Sequence, residues 1–330
     1  MRIDSLNGKK ITAIAGGVGG ARLARGMAAH LDSDQLTIIV NTGDDFEHLG
    51  LNISPDLDTV MYNLADLAQP EPGWGIRDDS FDCMKAVEKL GGETWFRLGD
   101  RDLATHILRT QWAQQGLSLT EITRRLTEKL RIKHTILPMS NDPCCTMIET
   151  EEGMLEFQQY FVQHHCQPVV QRLFWQGGDS AQPTPEVMQA LDTCDMVVIC
   201  PSNPFVSVDP VLNLPGVREC ILQKTTLAMS PIIGGRAVKG PAAKMFSEIE
   251  GVDASVEAVV DHYGELLDGI VVDEADESLA KALYERLSYV KAMPTLMLTL
   301  EKQIEIGEKF LQFAGEVLDQ ESVGKYKNDV

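Results

Sequence analysis

Apolar residues along this chain fall into short runs, each closed by glycine, proline, serine or asparagine. Residues 11–15 (Ile-Thr-Ala-Ile-Ala) and 36–41 (Leu-Thr-Ile-Ile-Val-Asn) read as strands buried on both faces. Residues 21–31 between them read as a helix, so the chain opens as a βαβ unit with a right-handed crossover. Ser54-Pro55-Asp56 starts another helix: serine suits the N-cap, proline the first turn, and aspartate the positive end of the dipole. Val60, Leu64 and Leu67 give that helix its apolar face. From about 70 to 135 the pattern is mainly helical, and residues 117–130 combine helical spacing with a charged outer face. This stretch reads as a helical insertion or lid. Strand-like runs return at 134–138, 146–150 and 155–161, and again at 196–200, 225–230 and 269–273. An amphipathic helix follows at 300–319, and 325–330 read as loose. The pattern predicts an α/β protein built on a parallel sheet.

Three of the apolar runs end in loops rich in glycine, serine, asparagine and proline: 16–20, 201–204 and 230–236. Ligands of open α/β sheets bind beyond the carboxyl ends of the strands, so these loops are expected to share one crevice. In the first, Gly17, Gly19 and Gly20 let backbone amides approach a phosphate while the following helix adds positive potential; a plain strand–helix turn would look similar. The pattern is not that of a nicotinamide site, because Arg22 occupies the third glycine slot and Asn41 stands where an acid usually ends the second strand. On the second loop, Ser202 and Asn203 are donor-site candidates or simple turn formers. On and after the third, Gly235 with Arg236, Lys239 and Lys244 forms either an exposed loop or a cationic clamp for a diphosphate.

Asp44, Asp45, Asp56 and Asp58 fall within fifteen residues. Such a group repels itself unless a counter-charge is present, and magnesium held by one or two carboxylates plus phosphate oxygens would supply it. Asp44 and Asp45 are the metal candidates, while Asp56 also suits helix capping. Residues 97–102, Arg-Leu-Gly-Asp-Arg-Asp, make a charged turn or a substrate loop in which Arg97 or Arg101 clamps a phosphate or stacks on a ring. His106 reads more readily as a satisfied structural histidine than as an acid–base group.

The net charge of −20 argues against nucleic acid and against an anionic membrane surface. No run approaches the ~18 apolar residues of a membrane span, and no secretory leader is expected at the N-terminus. Seven scattered cysteines form no disulfide framework, so a cytoplasmic protein is expected. There is no GxSxG, HExxH or Walker A sequence to support a serine nucleophile or zinc hydrolysis.

Seven blocks occur in order: Ala15-Gly-Gly-Val-Gly-Gly-Ala-Arg22, Val40-Asn-Thr-Gly-Asp-Asp45, Ile53-Ser-Pro-Asp-Leu-Asp-Thr-Val60, Leu98-Gly-Asp-Arg-Asp102 with Ala104-Thr-His106, Ile136-Leu-Pro-Met139, Pro201-Ser-Asn-Pro204 and Ser230-Pro-Ile-Ile-Gly-Gly235. Together they resemble the 2-phospho-L-lactate transferase (CofD) family of coenzyme F420 biosynthesis. The resemblance implies a Rossmann-like core at 1–69 and 134–330, a helical second region at 70–133 contributing to the deazaflavin site, and a homodimer. It implies transfer of a phosphorylated three-carbon acid from a guanosine-diphosphate donor to the deazaflavin alcohol Fo, with release of GMP and a need for Mg²⁺. By the family pattern Asp58 and Arg97 contact Fo. Asp58, with Asp45, is then the catalytic candidate, orienting or deprotonating the attacking hydroxyl. Residues 141–146 carry the family's Asp-Pro and Thr, but cysteines stand where Val and Ser are usual, and Pro294 replaces a polar residue. Asn141, Cys144 and Pro294 are therefore candidates for choosing among 2-phospholactate, phosphoenolpyruvate and 3-phosphoglycerate, against neutral core variation. The gluconeogenesis-factor-like proteins, thought to bind nucleotide sugars and regulate, share the glycine-rich start and the Pro-Ser-Asn and Ser-Pro-Ile blocks. They are the alternative reading.

Overall fold

The computed structural model describes residues 3–71, 73–238 and 240–328. Seven parallel strands form its central sheet: β1 (Ile11–Ala15), β2 (Leu36–Val40), β3 (Thr135–Pro138), β4 (Met196–Ile199), β5 (Thr225–Met229), β6 (Gly269–Val272) and β7 (Tyr289–Ala292). Their spatial order is β7-β6-β5-β4-β1-β2-β3. This is the doubly wound order of a Rossmann-like sheet with one further strand, and it reverses direction between β1 and β4. Strand residues alternate between two cores. Ile11, Ala13 and Ala15 with Met196 and Val198 face one side, and Ile14 with Val197 and Ile199 the other. The α/β parallel sheet is as the apolar runs predict; β7 is an addition that its half-polar sequence, Tyr-Val-Lys-Ala, conceals.

One face of the sheet is covered by α1 (Gly17–Ala28), α2 (Pro55–Leu64), α5 (Leu119–Lys129) and the long α6 (Leu300–Asn328). Between α2 and α5 come α3 (Asp82–Lys89) and α4 (Asp100–Gln114). Together with a hairpin of Phe46–His48 and Leu51–Ile53 they enclose a small core of Ile53, Met84, Leu98 and Leu103. Ile122 and Leu126 of α5 instead join the main core. A capping box of Ser118 and Glu121 starts α5. Helix α6 continues past 319, where no proline interrupts it; residues 329–330 lie outside the described residues.

Two expectations change. Helix α1 begins at Gly17, not at 21, so the glycines form its first turn. The reason is close packing: a Cβ on Gly19 would lie 2.1 Å from the Pro201 carbonyl oxygen, and one on Gly20 would lie 2.5 Å from Ser202 Oγ. Farther along α1, Gly26 meets Gly307 of α6 backbone to backbone, where a Cβ on Gly307 would stand 2.3 Å from the Gly26 carbonyl carbon. The second change is at 155–161. The strand ends at Glu156, and Gln159–Gln163 is a helical turn. Phe157 and Phe161, four apart, stack on each other at 5.6 Å, a helical rather than an alternating spacing. Gly153–Glu156 pairs with Cys145–Thr150, which pairs with Val170–Gln176, in a separate antiparallel sheet.

Candidate active site

A cavity of about 600 Å³ opens beyond the carboxyl ends of β1 and β4, at the reversal point of the sheet. Ser202 ties the two strand ends together. Its hydroxyl accepts from the Gly16 amide (3.1 Å) and donates to the Gly16 carbonyl (2.8 Å). All three expected loops reach the wall: Gly17 and Gly19 from the first, Pro201, Ser202 and Asn203 from the second, and Ser230, Pro231 and Ile233 from the third. Gly20 packs behind the wall, and Gly235 sits in the exposed turn of a small hairpin outside it. Lys239 lies outside the described residues. Arg236 is not part of the wall. Lys244 is bound to Glu248 (2.7 Å), the Pro168 carbonyl (2.7 Å) and the Tyr160 hydroxyl (3.2 Å), so it is not poised for a ligand.

The helix start at Ser54 is rearranged by the carboxylates. Ser54 Oγ does not cap α2 but donates to Asp45 Oδ2 at 2.7 Å. Asp56, which as a surface cap would be solvated, is buried. It accepts from the Gly17 amide at 2.6 Å and the Asn41 side chain at 2.9 Å, so a protein carboxylate already engages the first amide of α1. Burial pushes the Asp56 carboxyl up to about 6. It also pushes Asp44 well above the usual carboxylate range, with Asp56 adding to the effect, and pushes Asp45 up despite the Ser54 hydrogen bond. Asp44 Oδ1 and Asp45 Oδ1 are buried with no hydrogen-bond partner. Among the described residues no three or more His, Cys, Asp or Glu side chains are arranged to hold a metal ion by themselves. Two dehydrated carboxylates with free oxygens nevertheless fit a magnesium ion completed by ligand phosphates and water. Asp44 lines the cavity and Asp45 stands behind it.

Asp58, in the wall, has both oxygens engaged by Arg109. Nη1 donates to Oδ2 at 3.0 Å, and Nη2 donates to Oδ1. Arg109 Nη1 also lies 3.1 Å from His106 Nδ1. Arginine only donates, so His106 accepts at Nδ1 and carries its proton on Nε2. That atom is 3.2 Å from Asp102 Oδ1, off the line of a hydrogen bond. The Tyr62 hydroxyl donates to the same Asp102 oxygen at 2.7 Å. Burial opposes the charge of Asp102, but the adjacent His106 ring, the Tyr62 hydroxyl and the positive charge of Arg109 hold it below the ordinary value.

Arg97 lies in the wall with its guanidinium 4.7 Å from the centre of the Phe81 ring. Arg101 instead pairs with Asp79 at 3.4 Å, and Asp79 accepts from the first amides of α4. The wall is also rich in aromatics: Trp74, Phe81, Trp95, Phe96, Phe157 and Phe161. Sequence reasoning missed this wall, although Trp95-Phe96 is a conspicuous pair in a chain with only 6% aromatic residues. It also missed Arg109. Positions 102, 106 and 109 share one helix face, which was the available signal. Arg22 is buried in the wall and donates to the Pro70 carbonyl at 2.8 Å. It and Arg97 are the wall's only arginines or lysines among the described residues, against six aspartates.

Of the residues expected to choose the acid, Asn141 accepts from the Thr120 amide and hydroxyl at 2.9 Å, away from the cavity. Cys144 is buried in the core on the opposite face of the sheet from α1, where burial and nearby Asp45 push its thiol up to about 11. Pro294 adjoins Thr295, which does line the cavity. All seven cysteines are free, and among the described residues no helix is long and apolar enough to cross a membrane.

Residues 11–303 match the family described as 2-phospho-L-lactate transferase CofD. A 2-phospho-L-lactate transferase from Methanosarcina mazei is 39% identical over 299 residues, 90% of this chain and 98% of that one. A phosphoenolpyruvate transferase from Kitasatospora aureofaciens is 39% identical over 317 residues, 93% of this chain and 98% of that one. A crystal structure of a UPF0052 family member from Bacillus halodurans aligns with a TM-score of 0.61 at 19% identity, covering 92% of this chain and 98% of that one, and shows the same fold.

Proposed function

Because this chain belongs to the 2-phospho-L-lactate transferase CofD family and is a transferase of coenzyme F420 biosynthesis, we propose that it moves a phosphorylated three-carbon acid from a guanosine-diphosphate donor to the deazaflavin Fo, releasing GMP. One observation carries the reading: a single cavity joins an aromatic wall to a cluster of buried carboxylates at a helix N-terminus. The aromatic side suits a flat deazaflavin ring, with Arg97 over its edge and Asp58 receiving a ribityl hydroxyl. Gly17, Gly19, Ser202 and Asn203 flank the donor diphosphate. Among the described residues of the wall, six aspartates face two arginines, a balance that suits a donor accompanied by a cation. Asp44 and Asp45 are suited to hold Mg²⁺, which would supply that neutralising charge.

In the transfer, the hydroxyl oxygen bonds to the phosphorus bearing the acid, the phosphoanhydride bond breaks, and GMP leaves with the electron pair, its departing phosphate oxygen taking up the hydroxyl proton. Such reactions depend chiefly on positioning and electrostatics. With both oxygens already accepting from Arg109, Asp58 serves to orient the hydroxyl rather than to remove its proton. The enzyme acts in the cytoplasm, as a homodimer, in this reading.

The test is incubation of the purified protein with Fo, Mg²⁺ and the guanosine-diphosphate derivatives of 2-phospholactate, phosphoenolpyruvate and 3-phosphoglycerate, with product masses read directly. The expected result is Fo enlarged by one phospho-acid, its mass naming the acid, together with GMP. Removal of the metal by a chelator is expected to abolish the product. Absence of any product with all three donors would sink the reading.

A further inference from the structure

The cavity runs along the seam between two packing units. Asp58 is on α2, which belongs to the main core, whereas His106 and Arg109 are on α4, whose Leu103 sits in the small core around Leu98 and whose far end, at Trp112 and Ala113, reaches the main core. Arg109 is only 2% exposed and does not line the cavity, yet the two side chains it holds, Asp58 and His106, both do. We propose that Arg109 is a positioning residue for the acceptor: it fixes the Asp58 carboxylate and the His106 ring on the cavity wall without touching substrate. The inference rests on the reading of Fo as the acceptor bound at Asp58.

The geometry carries it in three steps. The planar guanidinium takes both Asp58 oxygens at once, so the carboxylate has one orientation and presents its remaining lone pairs in fixed directions. The same guanidinium contacts His106 Nδ1, which fixes the tautomer with the proton on Nε2, the nitrogen beside Asp102. The wall beside the aromatic patch therefore offers a preset acceptor to a ligand rich in hydroxyl donors, the chemistry of a polyol side chain. Lysine would keep the charge but could not span both oxygens and the imidazole together.

The test is steady-state kinetics on the full chain for Arg109→Lys, Asp58→Asn and the double variant, with Fo binding followed by deazaflavin fluorescence. In Arg109→Lys the KM and Kd for Fo are expected to rise about tenfold or more, while the donor KM stays within about twofold, because only the acceptor loses its preset partner. The double variant is expected to be no worse than the weaker single variant, the non-additivity of two residues acting through one contact. A fall in melting temperature with unchanged KM for Fo would make Arg109 purely structural. Multiplying losses in the double variant would show that it does not act through Asp58. If the wild-type chain neither binds nor uses Fo, the functional reading fails and takes this inference with it; if the wild type transfers normally and Arg109→Lys keeps its KM, the inference alone falls.

Discussion

Asp56 accepts hydrogen bonds from two neutral donors and from no cation, the Gly17 amide and the Asn41 side chain, and its carboxyl is pushed up to about 6 by burial. The sign of the consequence is fixed. Between the ordinary carboxylate value near 4 and the folded value near 6, the folded chain holds more protons than the unfolded chain, so stability falls as pH rises through that window and stays lower above it. For Asp56 alone the loss is on the order of 3 kcal/mol, and Asp44 and Asp45 are displaced in the same direction. Melting curves without metal are expected to show this decline, and Asp56→Asn to flatten it. Mg²⁺ is expected to raise the melting temperature more above the window than below it; equal shifts on both sides would argue against the carboxylates as its site. Ser202 is a second single-residue test. Ser202→Ala leaves the buried amide and carbonyl of Gly16 without their partner, and a loss of roughly 1–3 kcal/mol is expected from denaturant unfolding.

At the scale of elements, the unit of hairpin, α3 and α4 stands on a core of four buried apolar residues, far smaller than the cores on either face of the sheet. Leu98 is fully buried there. Leu98→Ala is expected to cost about 2–5 kcal/mol, and the cost should be local. Amide hydrogen exchange should quicken across α3 and α4 while the strands of the central sheet keep their protection. Uniform quickening would mean that this unit does not open independently. The same elements explain what pattern reading could and could not find. Six of the seven sheet strands are apolar runs closed by turn residues, and that alternation is a local signal. The Phe46–His48 and Leu51–Ile53 strands are three residues long, too short for a period of two to emerge, and their partners are set by packing against α4 rather than by their own composition.

For the whole molecule, the arrangement of chemistry was legible where motif and chain order coincide, and illegible where distant segments meet. The convergence of loops at 16–20, 201–204 and 230–236 follows from strands that all end on one side of a parallel sheet. The pairing of Asp58 with Arg109, 51 residues away, and the gathering of aromatics from 74 to 161 depend on how an insertion folds back over that edge. Cys144 drew notice through its departure from a familiar motif, yet it fills the core on the sheet face opposite α1. The glycines of α1 drew notice as a cradle for phosphate, and Gly19 and Gly20 also answer to the turn after β4. The contact of Gly26 with Gly307 has a mechanical consequence of its own. Two backbones that touch have no rotamers between them to repack, so α6 braces α1, whose first two turns line the cavity. Room for an arriving substrate is then expected on the α4 side, where a small core of four buried side chains is supplemented by the Arg109–Asp58 and Tyr62–Asp102 contacts.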